Sequence, residues 1–319
     1  MPHKTPAASR KAHNVAARRL HADALWRITW RSPKLDDMLP NPTRLILFTD
    51  LDGCLLNKHD YDWSPAAATL QILSTRQIPV ILNSSKTVAE MTQLARELGL
   101  AGKTFISENG SVIRWGDELE KGKSDSPTGE IEVIGASRDD ILAVLKQLKP
   151  QFRFRSFANL GLDGVIHETQ LSHEKAELAM ARQGTEPLLW DDSDEHRSEF
   201  EQALHTHQLT LTKGGRFWHV AGQTNKGEAM QRVAKRLSQP DSTTLTAAIG
   251  DSPIDQSMLD RADVPIGIPT PSGLGVKIAS RGIVATQQGA AGWAEAVTKL
   301  LSRIDAAASA KQNSPPPLV

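Results

Sequence analysis

The chain has 319 residues, with 37 basic side chains balanced by 37 acidic ones. That length can bury a sizeable core as one large domain or two modest ones, and the balance gives no global field to recruit nucleic acid or an anionic membrane. A single cysteine, Cys54, excludes disulfides within the chain, and no apolar run approaches the length of a membrane span.

The N-terminus is basic but has no apolar block behind it, which argues against a secretory signal and leaves the cytoplasm as the expected location. Residues 1–42 read as an N-terminal extension closing in Pro40-Asn41-Pro42, a linker signature. A stretch around Leu20, Leu25, Trp26 and Trp30 has weak helical amphipathicity, but the composition favours a flexible segment.

The first strand is Leu45-Ile46-Leu47-Phe48, and it runs into Asp50-Leu51-Asp52-Gly53. Residues i and i+2 of a strand point the same way, so two carboxylates converge where the strand should break into a glycine turn. A dry interior tolerates such a pair only with a shared cation or proton. Two readings stand at this point: an ordinary acidic strand-to-turn junction, or a site that binds magnesium through oxygen and uses one carboxylate as a nucleophile.

Ser64-Pro65 then opens a helix, and Val80-Ile81-Leu82-Asn83 forms a second strand ending in Ser84-Ser85-Lys86. Thr87 and Glu90 have capping-box spacing for a helix that stops at Gly99. Strands are expected near Thr104 to Ile106 and Val112 to Trp115. This rhythm predicts an α/β core whose parallel sheet is covered on both faces.

Between residues 123 and 221 the pattern changes. Glu130 to Ile134, Leu209 to Lys213 and Arg216 to Val220 alternate as one-sided strands do, and Gly214-Gly215 signals a two-residue hairpin. Helices are expected at Ser137 to Leu148, Ser172 to Arg182 and Asp194 to His207. The segment therefore reads as an inserted α+β cap. The core, 43–122, resumes over 222–304 with Thr224-Asn225-Lys226-Gly227, strands at Leu245 to Ile249, Val264 to Ile268 and Ile283 to Ala285, and a last helix around Trp293 to Leu301. The strand Ala247-Ala248-Ile249 runs into Gly250-Asp251-Ser252-Pro253-Ile254-Asp255, a second strand end with two carboxylates. Residues 305–319, closing in Pro315-Pro316-Pro317, read as a disordered tail.

The four motifs built on Asp50, Ser84, Lys226 and Asp251 each fall at a strand end or helix start, where open parallel sheets bind ligands. The set resembles the haloacid dehalogenase superfamily, which implies a Rossmann-like core with an inserted cap. Phe48-Thr49-Asp50, Ser85-Lys86-Thr87, Glu108-Asn109-Gly110, Glu186-Pro187-Leu188-Leu189-Trp190, Gly214-Gly215-Arg216-Phe217 and Gly250-Asp251-Ser252-Pro253 narrow the resemblance to the mannosyl-3-phosphoglycerate phosphatase family, over roughly Thr43 to Leu301.

That resemblance implies a nucleophile at Asp50, a general acid and base at Asp52, a phosphate donor at Ser84 and a charge-neutralising Lys226. It implies Mg²⁺ on Asp50, the Asp52 carbonyl and Asp251, with Asp255 as an outer ligand or orienter. Lys86, Asn109, Lys175, Arg182, Glu186 and Arg216 are the expected substrate contacts. Lys175 and Arg182, seven apart, should share a helix face. Ser84 could instead cap a helix, and each cap residue alone could be an ordinary surface side chain. Trp190 and Trp218 read as cap core rather than a sugar platform.

Departures from the family pattern are Cys54 and Ser84 for threonine, Ile254 for asparagine, and Gln183-Gly184-Thr185 in the cap. The expected substrate is a phosphorylated small-molecule glycoside, mannosyl-3-phosphoglycerate first. The alternatives are glucosyl-3-phosphoglycerate, sucrose phosphate, a phosphosugar mutase or a non-catalytic binding protein. No nucleic acid or membrane partner is expected, and the sequence leaves the oligomeric state open.

Overall fold

The computed structural model describes residues 43–116, 129–239 and 241–312. The extension 1–42 with its amphipathic stretch, and the tail beyond residue 312, lie outside the described residues. The strands of the core are β1 (Thr43–Thr49), β2 (Val80–Asn83), β3 (Phe105–Ser107), β4 (Val112–Arg114) and β5 (Ile131–Val133), then β10 (Thr243–Gly250), β11 (Val264–Gly267) and β12 (Ile283–Val284). They form one sheet in the order β12-β11-β10-β1-β2-β3-β4-β5.

Strand β1 shows why the sheet is covered on both sides. Leu45 and Leu47 face a core completed by helices α1 (Ala67–Thr75), α2 (Val88–Glu97) and α9 (Gly289–Gln312), while Ile46 and Phe48 face α7 (Lys226–Leu237) and α8 (Gln256–Arg261). Strands buried on both faces read as continuous apolar runs, as this one does. α2 begins at Thr87, whose hydroxyl accepts the Glu90 N–H while the Glu90 carboxylate accepts the Thr87 N–H.

The sheet is parallel from β12 to β3, but β4 and β5 are antiparallel. Only the four residues 108–111 separate β3 from β4, too short a link for a crossover. Strand β5 corrects the expected cap boundary at residue 123, because it pairs with β4 and belongs to the core sheet. The chain enters the cap after this strand and returns through Gly222, where a Cβ would lie 2.4 Å from the Ala136 nitrogen as the two crossing segments touch.

The cap sheet contains β6 (Phe154–Ser156), β7 (Thr185–Trp190), β8 (Leu209–Lys213) and β9 (Trp218–Gly222) in the antiparallel order β6-β7-β9-β8. Helices α3 (Arg138–Leu148) and α6 (Asp194–Thr206) cover one face with Ile141, Leu145, Phe200 and Leu204 against Leu188 and Val220. Trp190 and Trp218 pack on this cluster, as cap core. Helices α4 (Phe157–Thr169) and α5 (His173–Met180) form a satellite cluster around Val165 and Ala176.

Two further expectations change. The hairpin turn is four residues, 214–217, because Lys213 pairs with Trp218. Phe217 leaves the ladder to pack edge-on against Phe157, centroids 5.1 Å apart. The last helix continues past residue 304 to Gln312, held by a two-pronged Arg76–Asp305 pair at 2.9–3.1 Å and by buried Ala307. No helix among the described residues is long and apolar enough to cross a membrane.

Candidate active site

β1 and β10 pair in parallel with Thr49 opposite Ile249, so the two strands release Asp50 and Asp251 at the same end of the sheet. The Asp50 N–H still donates to the Ile249 carbonyl (2.9 Å), which fixes the backbone at the point where the strand ends. Lys226, first residue of α7, reaches between the strands and is 1% exposed. Its Nζ lies 2.6 Å from both Asp50 Oδ1 and Asp255 Oδ1.

Asp255 is engaged on its other side as well. Its Oδ2 accepts from the Asp251 N–H (3.3 Å), the Ser252 N–H (3.1 Å) and the Ser252 hydroxyl (2.8 Å). Both Asp255 oxygens are thus engaged by protein donors, which tie the lysine to the Asp251 turn. Ser252 provides the polar support that Ile254 lacks.

Electrostatics explain why the cluster invites a cation. Burial pushes the Asp50 carboxyl up to about 7 against the pull of Lys226, with Asp255 and Asp52 adding to the rise. Burial and then Asp255 lift Asp251 to about 6, opposed by Lys58 and Lys226. Burial works to neutralise Lys226, but Asp255 and Asp50 outweigh it and hold the ammonium charged.

Asp251 Oδ2 is buried without a hydrogen-bond partner, and Lys58 stands off at 3.8 Å. Gly53, at φ +91, makes room for that oxygen: a Cβ there would meet it at 2.6 Å. An orphaned carboxylate oxygen beside a second carboxylate fits a hard divalent cation. Cys54 lies in the same cluster, its sulfur within 4.8 Å of ligand oxygens of Asp50 and Asp251. Burial and those two acids push its thiol well above the ordinary range, so it lines the site as a neutral group. A cavity of about 490 Å³ opens on the Gly53, Lys58 and Asp251 side.

The second strand end supplies the neighbouring wall. Ser84 is 1% exposed, and its hydroxyl accepts the Lys86 N–H at 3.4 Å. It is not the helix cap, which is Thr87. Lys86 Nζ binds both oxygens of Asp52 at 3.0 and 2.8 Å, so the expected substrate contact and the expected acid are paired with each other. Burial lowers the Lys86 pKa, and Asp52, with Glu90 and Tyr61, more than restores it.

The turn Glu108-Asn109-Gly110 ties three parts of the site together. Glu108 and Asn109 adopt left-handed φ of 51° and 58°, followed by Gly110 at 99°. A Cβ on Gly110 would fall 2.4 Å from the Asn225 backbone, so the turn packs directly on the segment that launches Lys226. Both amide atoms of Asn109, an expected substrate contact, are buried without a hydrogen-bond partner.

The cap residues fare differently. Arg182 lies beyond the end of α5, whose C-cap is Ala181, so it shares no helix face with exposed Lys175. Arg182 instead turns inward, its Nη2 donating to the Ser85 carbonyl at 3.3 Å and its Nε buried without a partner. Glu186 cannot accept sugar hydroxyls: it is fully buried, with Oε2 on Arg138 Nε (2.9 Å) and Oε1 on the Ala158 N–H (2.7 Å). Arg216 sits at the hairpin tip, 55% exposed and paired with Glu168 at 3.2 Å. Glu108 enters the sequence analysis only as part of the Glu108-Asn109-Gly110 motif, with no role of its own, and Arg138 does not enter it. An acid between the Phe105-Ile106 run and the Asn109-Gly110 turn was the available signal for the first; nothing local marks the second.

Residues 47–270 match the family model of haloacid dehalogenase-like hydrolases, and the chain belongs to that family. Similar solved structures include a haloacid dehalogenase-like hydrolase from Bacteroides thetaiotaomicron (15% identity, TM-score 0.57), covering 82% of this chain and 99% of that one. A second, from B. subtilis, is 19% identical with a TM-score of 0.52 and covers 81% and 99%. The sucrose-phosphatase from Synechocystis, solved with sucrose and phosphate, is 16% identical with a TM-score of 0.52, covering 82% and 98%. At these identities the likeness is one of fold.

Proposed function

We propose that this protein is a Mg²⁺-dependent phosphatase that removes phosphate from a phosphorylated glycoside through an aspartyl phosphate on Asp50. Mannosyl-3-phosphoglycerate, which would give mannosylglycerate, is the first candidate substrate. The observation that carries the reading is the buried Asp50 carboxylate, held by Lys226 at 2.6 Å beside the unpartnered oxygen of Asp251. A carboxylate so placed at a strand end has the position of a nucleophile.

In the first step an Asp50 oxygen attacks phosphorus, and the bond to the leaving alkoxide breaks as Asp52 gives it a proton. Asp52 then takes a proton from water as that water attacks the aspartyl phosphate, releasing inorganic phosphate and restoring Asp50. In this reading Lys226 and the Ser84 hydroxyl donate to phosphoryl oxygens; donors of this kind are worth about 2.7–4 kcal/mol in a transition state. Magnesium held by Asp50, Asp251 and the Asp52 carbonyl would lower the repulsion between anionic nucleophile and anionic phosphate. With Glu186 and Arg216 committed elsewhere, Arg182 of the cap and Asn109 of the core turn are the groups proposed to meet the acid or sugar portion.

A phosphate-release screen tests this, run with and without magnesium on mannosyl-3-phosphoglycerate, glucosyl-3-phosphoglycerate, sucrose phosphate and simple sugar phosphates. Free phosphate from one glycosyl ester, lost in Asp50→Asn, is the expected result. Turnover unaffected by Asp50→Asn removes the proposed nucleophile, and phosphate transfer between sugars without release would indicate a mutase.

A further inference from the structure

We infer that Glu108 is a positioning residue, whose buried carboxylate fixes the cap arginine Arg182 against the loop Ser84–Lys86 and so holds the two halves of the substrate site in register. The contacts stand by themselves; that the loop binds phosphate rests on the reading above.

Glu108 belongs to the core, yet both its oxygens serve the cap. Oε1 accepts the Gln183 N–H (2.8 Å), while Oε2 accepts the Gly184 N–H (3.2 Å) and the Thr185 hydroxyl (2.6 Å). The Arg182 guanidinium is 3.7 Å from Oε2, and its Nη1 donates to Thr185 Oγ1 at 2.8 Å. Four consecutive cap residues thus converge on one fully buried core carboxylate. Gly184 packs so tightly there that a Cβ would lie 2.8 Å from Ser111 Cβ.

The other side of the same turn grips the loop. The Glu108 N–H donates to the Lys86 carbonyl and the Asn109 N–H to the Ser84 carbonyl, both at 2.9 Å. Arg182 takes the carbonyl between them, that of Ser85. Three successive carbonyls of the loop are therefore drawn to the Glu108 side, which keeps their negative ends away from an incoming anion. The left-handed backbone at Glu108 and Asn109, unfavourable for residues with side chains, is what lets one turn face both ways. A neutral isostere does not replace the carboxylate, since a glutamine offers one accepting oxygen and an NH₂ that repels the remaining donors.

The test is hydrogen exchange on the full chain, comparing Glu108→Gln and Thr185→Val with the unmodified protein. Exchange should accelerate about tenfold in Glu108→Gln at 183–185 and also at the loop 84–86, with the Leu188–Val220 cap core unchanged; Thr185→Val should give a smaller effect at the same places. Acceleration spread evenly over the cap, or confined to 183–185 with the loop unaffected, would overturn the inference. Should Glu108→Gln not fold, Thr185→Val carries the same comparison. On any ester that the unmodified protein hydrolyses, KM should rise about tenfold with a smaller change in kcat; a fall in kcat at constant KM counts against the inference. A protein that releases phosphate from no ester refutes the phosphatase reading, and the exchange comparison still decides the role of Glu108.

Discussion

Lys226 stands at the first position of α7, where the helix macrodipole disfavours a cation. Asp50 and Asp255 supply the opposing charge, and all three groups are almost wholly out of water. Removing one partner from such a cluster leaves charge buried without compensation, at a cost of about 3–5 kcal/mol. Lys226→Met should therefore lower stability by that order in urea unfolding and abolish phosphate release together. The motif was legible in the sequence because a lysine against the dipole needs a reason. The roles of Glu186 and Arg216 were not, since nothing in a local pattern says that Arg138, 48 positions away, will occupy the Glu186 carboxylate. His219 shows the same limit at the level of a single proton. Burial, with Arg182 adding to it, holds its imidazole down to about 3. The folded protein thus stays neutral there while the unfolded chain takes up a proton below about pH 6.5. Stability should fall as pH drops from about 6.5 toward 3, by up to about 1.4 kcal/mol per unit, and the slope should flatten in His219→Asn when Tm is followed from pH 7 to 5.

Helix α7 and the turn before β4 work as a pair. Asn225 caps α7 by accepting the Gly227 and Glu228 N–H groups at 3.0 Å, and Thr224 binds the Gly110 carbonyl at 3.1 Å. Asn225→Ala should cost about 1 kcal/mol through the lost cap, with a loss of activity larger than the stability change explains, because the cap also aims Lys226. Gly110→Ala should be far worse: the position has φ +99 and its Cβ would strike the Asn225 backbone. Thermal melting of the two variants gives the ranking, and equal Tm values would contradict it. Elements of this kind are readable when they are local. The capping box at Thr87 and Glu90 is complete within four residues of sequence, whereas β4 turned antiparallel because a four-residue link could not carry a crossover.

For the whole molecule, the metal reading makes a thermodynamic prediction separate from turnover. A cation that binds only the folded state at one hundred times its Kd stabilises by about 2.7 kcal/mol. Magnesium should raise Tm in the unmodified protein, and Asp251→Asn should remove most of that shift by taking a charge from the carboxylate with the orphaned oxygen. No shift in either would remove the cation from the account. The cap and core also meet through one buried acid, Glu108, so changes at 182–185 should be felt at the loop 84–86 rather than only within the cap.

What the chain determined by itself were the periodic and local features: apolar runs for strands buried on both faces, the βα alternation, the caps, and carboxylates at strand ends. These depend on neighbours a few positions apart. Tertiary structure decided that residues 131–133 join the core sheet, that Arg182 turns inward while Arg216 pairs with Glu168, and that Asp255 serves Lys226. Each of these is a choice among partners distant in sequence, set by which donors and acceptors the packed chain brings within reach.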